Sequence, residues 1–204
     1  MTIKAVIWDV GGVLVRTEDY TSRQELASSL GISRLELEDL VFGLDSGRRA
    51  QLGEISHEEH WENLRLELGL APDEVPAFKE SFWGGDYLDV DLVDYIRSLR
   101  GQYTTGLLSN AFSDLRYMAT QVWKFADAFD QMIISAEVGL MKPDERIYQL
   151  AVDRLDVAPF EAVFIDDFLH NVEGARSAGL KAVHFQKPAQ AKDELAGILN
   201  AGVG

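Results

Sequence analysis

Hydrophobic residues along this chain follow two patterns. Short continuous apolar runs, typical of strands buried in a parallel sheet, occur at residues 3–8, 104–108, 131–135, 162–165 and 181–185. Apolar residues at helical spacing lie between them, for example at 91–99 and 145–155. Strands that alternate with helices predict a parallel sheet with helices on both faces. The expected fold class is therefore α/β, with a doubly wound, Rossmann-like core.

Residues 17–85 lack such apolar runs and carry only the helical spacing. Ser33 and Ser56 are at positions typical of helix N-caps, and Glu59 would complete a capping box with Ser56. Residues 44–49 are polar and predict a turn. We therefore predict a small all-helical cap domain at 17–85, inserted into a core made of residues 1–16 and 86–204.

Composition narrows the range of partners. The formal net charge is −15, and such a surface repels phosphate backbones, so a nucleic acid partner is not expected. The chain has no Cys, which excludes thiol catalysis, disulfides and cysteine metal ligands. It has no apolar run long enough to cross a membrane and no signal-peptide pattern before the first strand. We expect a cytoplasmic protein without a membrane partner.

Polar residues stand at or just beyond the ends of four predicted strands. They are Asp9, Ser109, Asn110, Lys142, Asp166 and Asp167. In a doubly wound sheet the carboxyl ends of the strands meet at one crevice, where ligands bind. Taken singly, each residue has an ordinary interpretation as a helix cap, a turn or a solvated loop. Their recurrence at successive strand ends favours a common site.

The predicted set suits phosphoryl transfer. Three carboxylates in one crevice repel one another unless a cation neutralises them, and an all-oxygen site suits Mg²⁺. Asp9 would be the nucleophile, and the Gly11 carbonyl could be another metal ligand. The N–H groups of Gly11 and Gly12 would hold phosphoryl oxygens together with the Ser109 and Asn110 side chains, while Lys142 balances charge.

Four segments carry a family resemblance: WDVGGVLV, LLSNAF, GLMKPDERIY and VFIDDFLHN. In order and spacing they resemble the motifs of the haloacid dehalogenase superfamily, with greatest similarity to its glucose-1-phosphate phosphatase-like branch. The resemblance implies an Mg²⁺-dependent phosphatase that acts on a small phosphorylated metabolite, such as a sugar phosphate. The oligomeric state is open between a monomer and a homodimer. By motif, Asp9 would be nucleophile and metal ligand, and Lys142 the third-motif lysine.

The same resemblance assigns the remaining site residues. Ser109 and Asn110 would bind the phosphoryl group. Asp167 would ligate Mg²⁺ directly, and Asp166 would ligate it or lie just behind the ligands. The expected metal ligands are therefore Asp9, Gly11, Asp166 and Asp167.

One position departs from the pattern of related phosphatases. They usually carry a second Asp two positions after the nucleophile, as general acid and base, and here that position is Gly11. Loss of a general acid can cost about 10²–10⁴-fold in rate, although the glucose-1-phosphate-like branch resembles this chain in having Gly there. Cap residues that could substitute are His57, His60, Arg48 and Arg49, types that are most often simply solvated at such positions.

Two alternatives stay open at this point. A halocarboxylic-acid dehalogenase also lacks the second Asp and needs no metal, but Asp166 and Asp167 without a cation would hinder attack on a carboxylate substrate. A catalytically impaired scaffold that binds a phosphorylated metabolite would account for Gly11. The joint presence of Asp9, Lys142 and both fourth-motif acids favours an enzyme.

Overall fold

The computed structural model describes residues 2–201, which form seven strands: β1 (Ala5–Trp8), β2 (Val15–Thr17), β3 (Asp86–Leu88), β4 (Thr104–Ser109), β5 (Gln131–Ile134), β6 (Ala162–Asp166) and β7 (Lys181–His184). Five of them make one sheet in the order β5-β4-β1-β6-β7. Every pair in this sheet is parallel, and Trp8 at the end of β1 is aligned with Leu107 and Ile165. The carboxyl ends of the strands therefore share one edge.

The helices within residues 2–201 are α1 (Thr21–Ser29), α2 (Arg34–Phe42), α3 (Asp45–Gln51), α4 (His57–Leu68), α5 (Val75–Trp83), α6 (Val90–Leu99), α7 (Leu115–Tyr117), α8 (Ser135–Val138), α9 (Glu145–Arg154), α10 (Leu169–Ser177) and α11 (Pro188–Asn200). A π-helical turn, Met118–Val122, continues α7, and Ala126–Ala128 and Pro159–Glu161 are 3₁₀ turns. Across this described part of the chain, no helix combines the length and apolar character needed to span a bilayer.

Helices cover both faces of the sheet. Successive residues of β1 point to opposite faces, so Val6 and Trp8 join one hydrophobic cluster and Ala5 and Ile7 join the other. Residues of α6 and α11 complete the first cluster, and residues of α9 and α10 complete the second. Burial on both faces explains why β1 reads as a continuous apolar run. The predicted doubly wound α/β fold is confirmed.

The five helices α1–α5 lie between β2 and β3 and have a hydrophobic cluster of their own, whose buried members all fall between Ala27 and Phe82. Both predicted helix starts are present: Ser33 and Ser56 each accept from the backbone N–H three residues on, and a glutamate at that position closes a capping box. β2 and β3 pair antiparallel where the chain leaves the core and returns to it. The division at residues 17 and 85 stays a prediction.

Residues 44–49 are a correction, because most of them form helix α3 rather than a polar turn. Asp45 lies in its first turn and Arg48 and Arg49 in its last turn, the arrangement that a helix dipole favours. Ala50 and Gln51 are buried, which anchors a segment whose polar composition hid the helix. The predicted strand at 131–135 also ends one residue early, because Ser135 begins α8.

Candidate active site

A lysine joins two of the predicted carboxylates. Asp9 follows β1, Asp166 ends β6, and Lys142 lies in the loop between α8 and α9. The Lys142 Nζ atom is 2.9 Å from Asp9 Oδ1 and 2.6 Å from Asp166 Oδ2, and it donates to the Leu108 carbonyl at 3.1 Å. An ammonium carries three N–H groups, so protein acceptors engage all of them. The structure thus brings three of the predicted residues into contact.

Burial is the largest single influence on the pKa values of Asp9, Asp167 and Lys142. It raises the pKa of Asp9 to about 7; the Lys142 ammonium opposes the rise, and the Asp166 and Asp167 carboxylates add to it. Burial also raises the pKa of Asp167 to about 6, with a further contribution from Asp166. Burial alone would lower the pKa of Lys142, but Asp9 and Asp166 outweigh it and the net shift is upward. Three acids around one cation leave negative charge in excess.

Hydrogen bonds saturate Asp166, which is fully buried. Besides Lys142, it accepts from the Phe168 N–H at 2.8 Å and from Asn171 Nδ2, which is 3.1 Å from each carboxylate oxygen. A carboxylate offers about four lone-pair positions, so little capacity is left. Asn171 was not among the predicted site residues. Its place in the first turn of α10, about one helical turn beyond Asp167, is the signal that could have found it.

Asp167 has acceptor capacity to spare. Its Oδ1 is buried and has no hydrogen-bond partner within residues 2–201. A Cβ atom on Gly12 would lie 2.0 Å from Asp167 Oδ2, so the carboxylate fits only against a residue without a side chain. Asp9, Asp166 and Asp167 each offer one oxygen, and these oxygens lie within 4.8 Å of one another. This donor set, anionic and all oxygen, fits a hard divalent cation.

The glycine loop supplies backbone groups beside Asp9. Gly12 has φ +74°, and its N–H donates to the Val15 carbonyl at 2.9 Å. In the described chain no hydrogen bond engages the N–H or the carbonyl of Gly11. A Cβ atom on Gly11 would meet nothing within 4 Å. The Gly11 N–H and carbonyl are therefore free to bind a ligand.

Ser109 ends β4 on the same edge of the sheet, and Asn110 follows it. Ser109 is buried, and within residues 2–201 its hydroxyl makes no hydrogen bond. The Asn110 amide is engaged with the main chain of Lys142: Nδ2 donates to the carbonyl at 2.9 Å, and Oδ1 accepts from the N–H at 2.8 Å. The phosphate-binding roles of these two residues stay predictions.

The two cap histidines differ in their surroundings. His60 is fully buried, its Nδ1 is 3.0 Å from Ser46 Oγ, and burial lowers its pKa. His57 Nε2 accepts from Trp61 Nε1 at 2.7 Å and lies 3.4 Å from Oδ2 of Asp114, which lies outside the helical insertion. A neutral, enclosed imidazole such as His60 is poorly suited to deliver protons to a substrate.

The two cap arginines lie on the surface of α3. Arg49 faces Glu54 Oε2 at 3.4 Å, and Arg48 is exposed with no ion pair in the described part of the chain. Neither contacts Asp9, Lys142, Asp166 or Asp167 through an ion pair or hydrogen bond among residues 2–201. The role of a cap residue as a substitute acid stays a prediction.

These observations define the class of protein. It is an α/β protein with a helical insertion, and its acidic site, bridged by a lysine, lies at the carboxyl edge of the sheet. A profile of the haloacid dehalogenase-like hydrolase family matches residues 3–179. The chain belongs to this family of hydrolases, which confirms the resemblance carried by the four motifs. The glucose-1-phosphate phosphatase-like branch stays a prediction.

Two curated relatives align over most of the chain. A sesquiterpene phosphatase of Aspergillus oryzae is 28% identical over 188 residues, 90% of each chain. A D-ribitol-5-phosphate phosphatase of Bacteroides thetaiotaomicron is 26% identical over 221 residues, covering 98% of this chain and 100% of the relative. An (S)-2-haloacid dehalogenase of a Pseudomonas species gives a shorter match, which is 35% identical over 85 residues. This match covers 42% of this chain and 37% of the dehalogenase.

Solved structures share the fold. A family enzyme of Bacteroides thetaiotaomicron, crystallised in complex with magnesium and inorganic phosphate, superposes with a TM-score of 0.75 at 21% identity. The superposition covers 90% of this chain and 94% of that one. At this identity the likeness establishes the arrangement of the chain.

Proposed function

We propose that this chain is an Mg²⁺-dependent phosphatase that hydrolyses the phosphate monoester of a small metabolite through an aspartyl-phosphate on Asp9. One observation carries the proposal: at the carboxyl edge of the sheet three carboxylates lie within 4.8 Å of one another, and one lysine contacts two of them, Asp9 and Asp166. Fully ionised, this group has a formal charge of −2, from three negative charges and one positive charge. That excess suits a divalent cation and leaves Asp9 able to attack an anionic phosphoryl group.

Asp9 is oriented for nucleophilic attack. Its Oδ1 accepts from the Val10 N–H at 2.7 Å and contacts Lys142 at 2.9 Å. Its Oδ2 accepts no hydrogen bond from residues 2–201 and is the oxygen free to attack. As a bond forms from Oδ2 to phosphorus, the bond from phosphorus to the leaving oxygen breaks, and the phosphoryl group moves to Asp9.

Hydrolysis of the aspartyl-phosphate completes the reaction. A water oxygen bonds to phosphorus, the bond between phosphorus and Asp9 breaks, and inorganic phosphate leaves while the carboxylate is restored. The leaving alkoxide of the first step needs a proton, and Gly11 offers none. Solvent would then supply it, which favours substrates with good leaving groups, such as an anomeric phosphate.

The free groups around Asp9 are suited to hold the phosphoryl oxygens and the metal. The Ser109 hydroxyl and the Gly11 N–H would donate to phosphoryl oxygens. Asp9, Asp167 and the Gly11 carbonyl would hold Mg²⁺, whereas Asp166, whose lone pairs are taken, would act on the site through Lys142. When bound, the ion offsets the excess negative charge and polarises the phosphoryl group.

The substrate class that we propose is a sugar or polyol phosphate. An anomeric leaving group fits the absence of an acid at position 11, and one relative is named for D-ribitol 5-phosphate. Another relative is named a sesquiterpene phosphatase, so terpenoid phosphates are the class to test beside it. A cytoplasmic location and a monomeric or homodimeric state stay predictions.

A phosphate-release assay tests the proposal. The panel contains p-nitrophenyl phosphate, sugar and polyol phosphates, and terpenoid phosphates, each with Mg²⁺ or with EDTA. We expect turnover that EDTA abolishes and Mg²⁺ restores. Asp167→Asn should raise the Mg²⁺ concentration for half-maximal rate by about tenfold or more, and exposed Asp193→Asn should not.

Two results would overturn the proposal. Halide release from 2-chloropropionate that is unaffected by EDTA would assign a dehalogenase. Binding of inorganic phosphate without turnover of p-nitrophenyl phosphate, an activated ester, would assign a binding scaffold.

A further inference from the structure

The Asn110 side chain pairs with the peptide backbone of Lys142. Its Nδ2 donates to the Lys142 carbonyl at 2.9 Å and its Oδ1 accepts from the Lys142 N–H at 2.8 Å. Both distances are typical of good hydrogen bonds. Two bonds from one planar amide to one residue fix the orientation of that residue as well as its position. The partners are 32 positions apart, so this pair ties two separate loops together.

Lys142 is held at its other end as well. Its ammonium contacts Asp9 Oδ1, Asp166 Oδ2 and the Leu108 carbonyl, and Nζ lies 5.2 Å from the centre of the Phe164 ring. Leu108 lies two residues before Asn110. The segment at the end of β4 therefore contacts both the ammonium and the backbone of Lys142. A shift of the Lys142 backbone must therefore move an ammonium that orients the nucleophile.

We propose that Asn110 is a positioning residue, which acts on the reaction through Lys142 rather than by binding the phosphoryl group. This inference rests on the proposed phosphatase function. The amide oxygen and one amide hydrogen are already committed to the Lys142 backbone. If Asn110 bound phosphate directly, it would donate the second hydrogen on Nδ2 to a phosphoryl oxygen. Loss of that bond would raise KM rather than lower kcat.

A double-mutant cycle separates the two roles. Asn110→Ala should lower kcat for p-nitrophenyl phosphate by about ten- to a hundredfold, the size of effect that a small misplacement of catalytic groups produces. KM should change by less than about threefold. In a Lys142→Met background the same change should alter kcat by less than about twofold, because the group it positions is gone. Equal losses in both backgrounds, or a raised KM with kcat intact, would overturn the inference.

Phosphate binding supplies a readout that needs no turnover. Calorimetric titration with inorganic phosphate and Mg²⁺ should give Asn110→Ala an affinity within about threefold of the unaltered chain, since positioning leaves ground-state contacts in place. A tenfold loss would instead assign Asn110 to the phosphoryl group. Exposed Asn63→Ala is the matched control and should change neither quantity. If the unaltered chain binds phosphate without hydrolysing it, the proposed function fails while this arm still decides the role of Asn110.

A crystal structure of the variant tests the geometry directly. In Asn110→Ala the Lys142 Nζ should move out of contact with Asp9 Oδ1. A lowered kcat with that contact intact would contradict a positioning role. If Asn110→Ala does not fold, Asn110→Asp replaces it, because one carboxylate oxygen can still accept from the Lys142 N–H. Asn110→Asp should then keep more of kcat than Lys142→Met does, and an equal or larger loss would count against the inference.

Discussion

Two groups of charged side chains within residues 2–201 are wholly or partly buried, and they differ in their charge balance. One group lies in the helical insertion and at its junction with β3, and we name it the balanced cluster: Arg23, Arg34, Glu38 and Asp86. The other lies at the carboxyl edge of the sheet, and we name it the acidic cluster: Asp9, Lys142, Asp166 and Asp167. The first contains two cations and two anions, and the second contains one cation and three anions.

Hydrogen bonding differs in the same way. Arg23 reaches Glu38 at 2.9 Å, Asp86 at 3.0 Å and the Phe82 carbonyl at 2.9 Å, so the guanidinium and both acids are paired. In the acidic cluster, Asp167 Oδ1 has no partner among residues 2–201. Burying unpaired charge costs stability. The balanced cluster therefore serves folding, whereas the acidic cluster is complete only with a proton or a cation.

The largest effect is expected from removing the charge of the acidic cluster to which we assign the chemistry. Asp9→Asn takes away the proposed nucleophile and should lower phosphate release by at least about a thousandfold. In EDTA near pH 8 the same variant should melt at a higher temperature than the unaltered chain. Burial raises the pKa of Asp9 to about 7, above its unfolded value, so the ionised side chain destabilises the folded state at that pH.

Phosphate release and thermal melting in EDTA check this prediction, with exposed Asp193→Asn as the control for both. Turnover retained in Asp9→Asn would remove Asp9 from its role. A lower melting temperature would show that the acidic cluster is stably satisfied without metal.

The balanced cluster should respond in the opposite sense. Arg23→Met leaves Asp86 and Glu38 without a buried partner, and breaking such a pair typically costs about 3–5 kcal/mol of unfolding free energy. Arg34→Met is the matched control, because Arg34 is partly exposed and also pairs with Glu38. That pair should contribute less than about 1 kcal/mol. Urea unfolding of both variants checks the contrast, and equal losses would mean that the burial of Arg23 carries no special weight.

The residues of the acidic cluster are easier to predict from the sequence than those of the balanced cluster. Strands buried on both faces leave continuous apolar runs, and the polar residue after each run then marks the edge where strand ends converge. Asp9, Lys142 and Asp166 were predicted on this basis, and the structure brings them into contact.

The remaining features depend on pairing across long stretches of chain. Arg23 contacts Asp86, which is 63 positions away in the sequence. The Asn110 amide bonds to the backbone of Lys142, whose position depends on the conformation of the loop between α8 and α9. The three-residue strands β2 and β3 are too short to show a period. Helix α3 was missed because its polar residues resemble a turn until Ala50 and Gln51 are seen to be buried.

The smallest expected effect comes from adding an acid to the acidic cluster. Gly11→Asp is sterically open, because a Cβ atom there meets nothing within 4 Å. The new carboxyl could protonate the leaving group, and a well-positioned general acid typically contributes about 10²–10⁴-fold. We expect about a tenfold gain for alkyl phosphates, since a side chain that has not been positioned by its surroundings realises only part of that range. Turnover of p-nitrophenyl phosphate, whose leaving group needs no proton, should barely change.

A series of esters with leaving groups of rising pKa measures this effect, and Gly11→Ala isolates the carboxyl from the added Cβ. The rate should fall less steeply with leaving-group pKa in Gly11→Asp than in Gly11→Ala or the unaltered chain. Identical slopes would mean that an acid is already supplied from elsewhere, with His57, Arg48 and Arg49 in the helical insertion as the first residues to test. Gly12→Ala provides the contrast within the same loop, because its Cβ would lie 2.0 Å from Asp167 Oδ2. Displacement of that carboxylate should lower the rate of phosphate release and the response of that rate to added Mg²⁺.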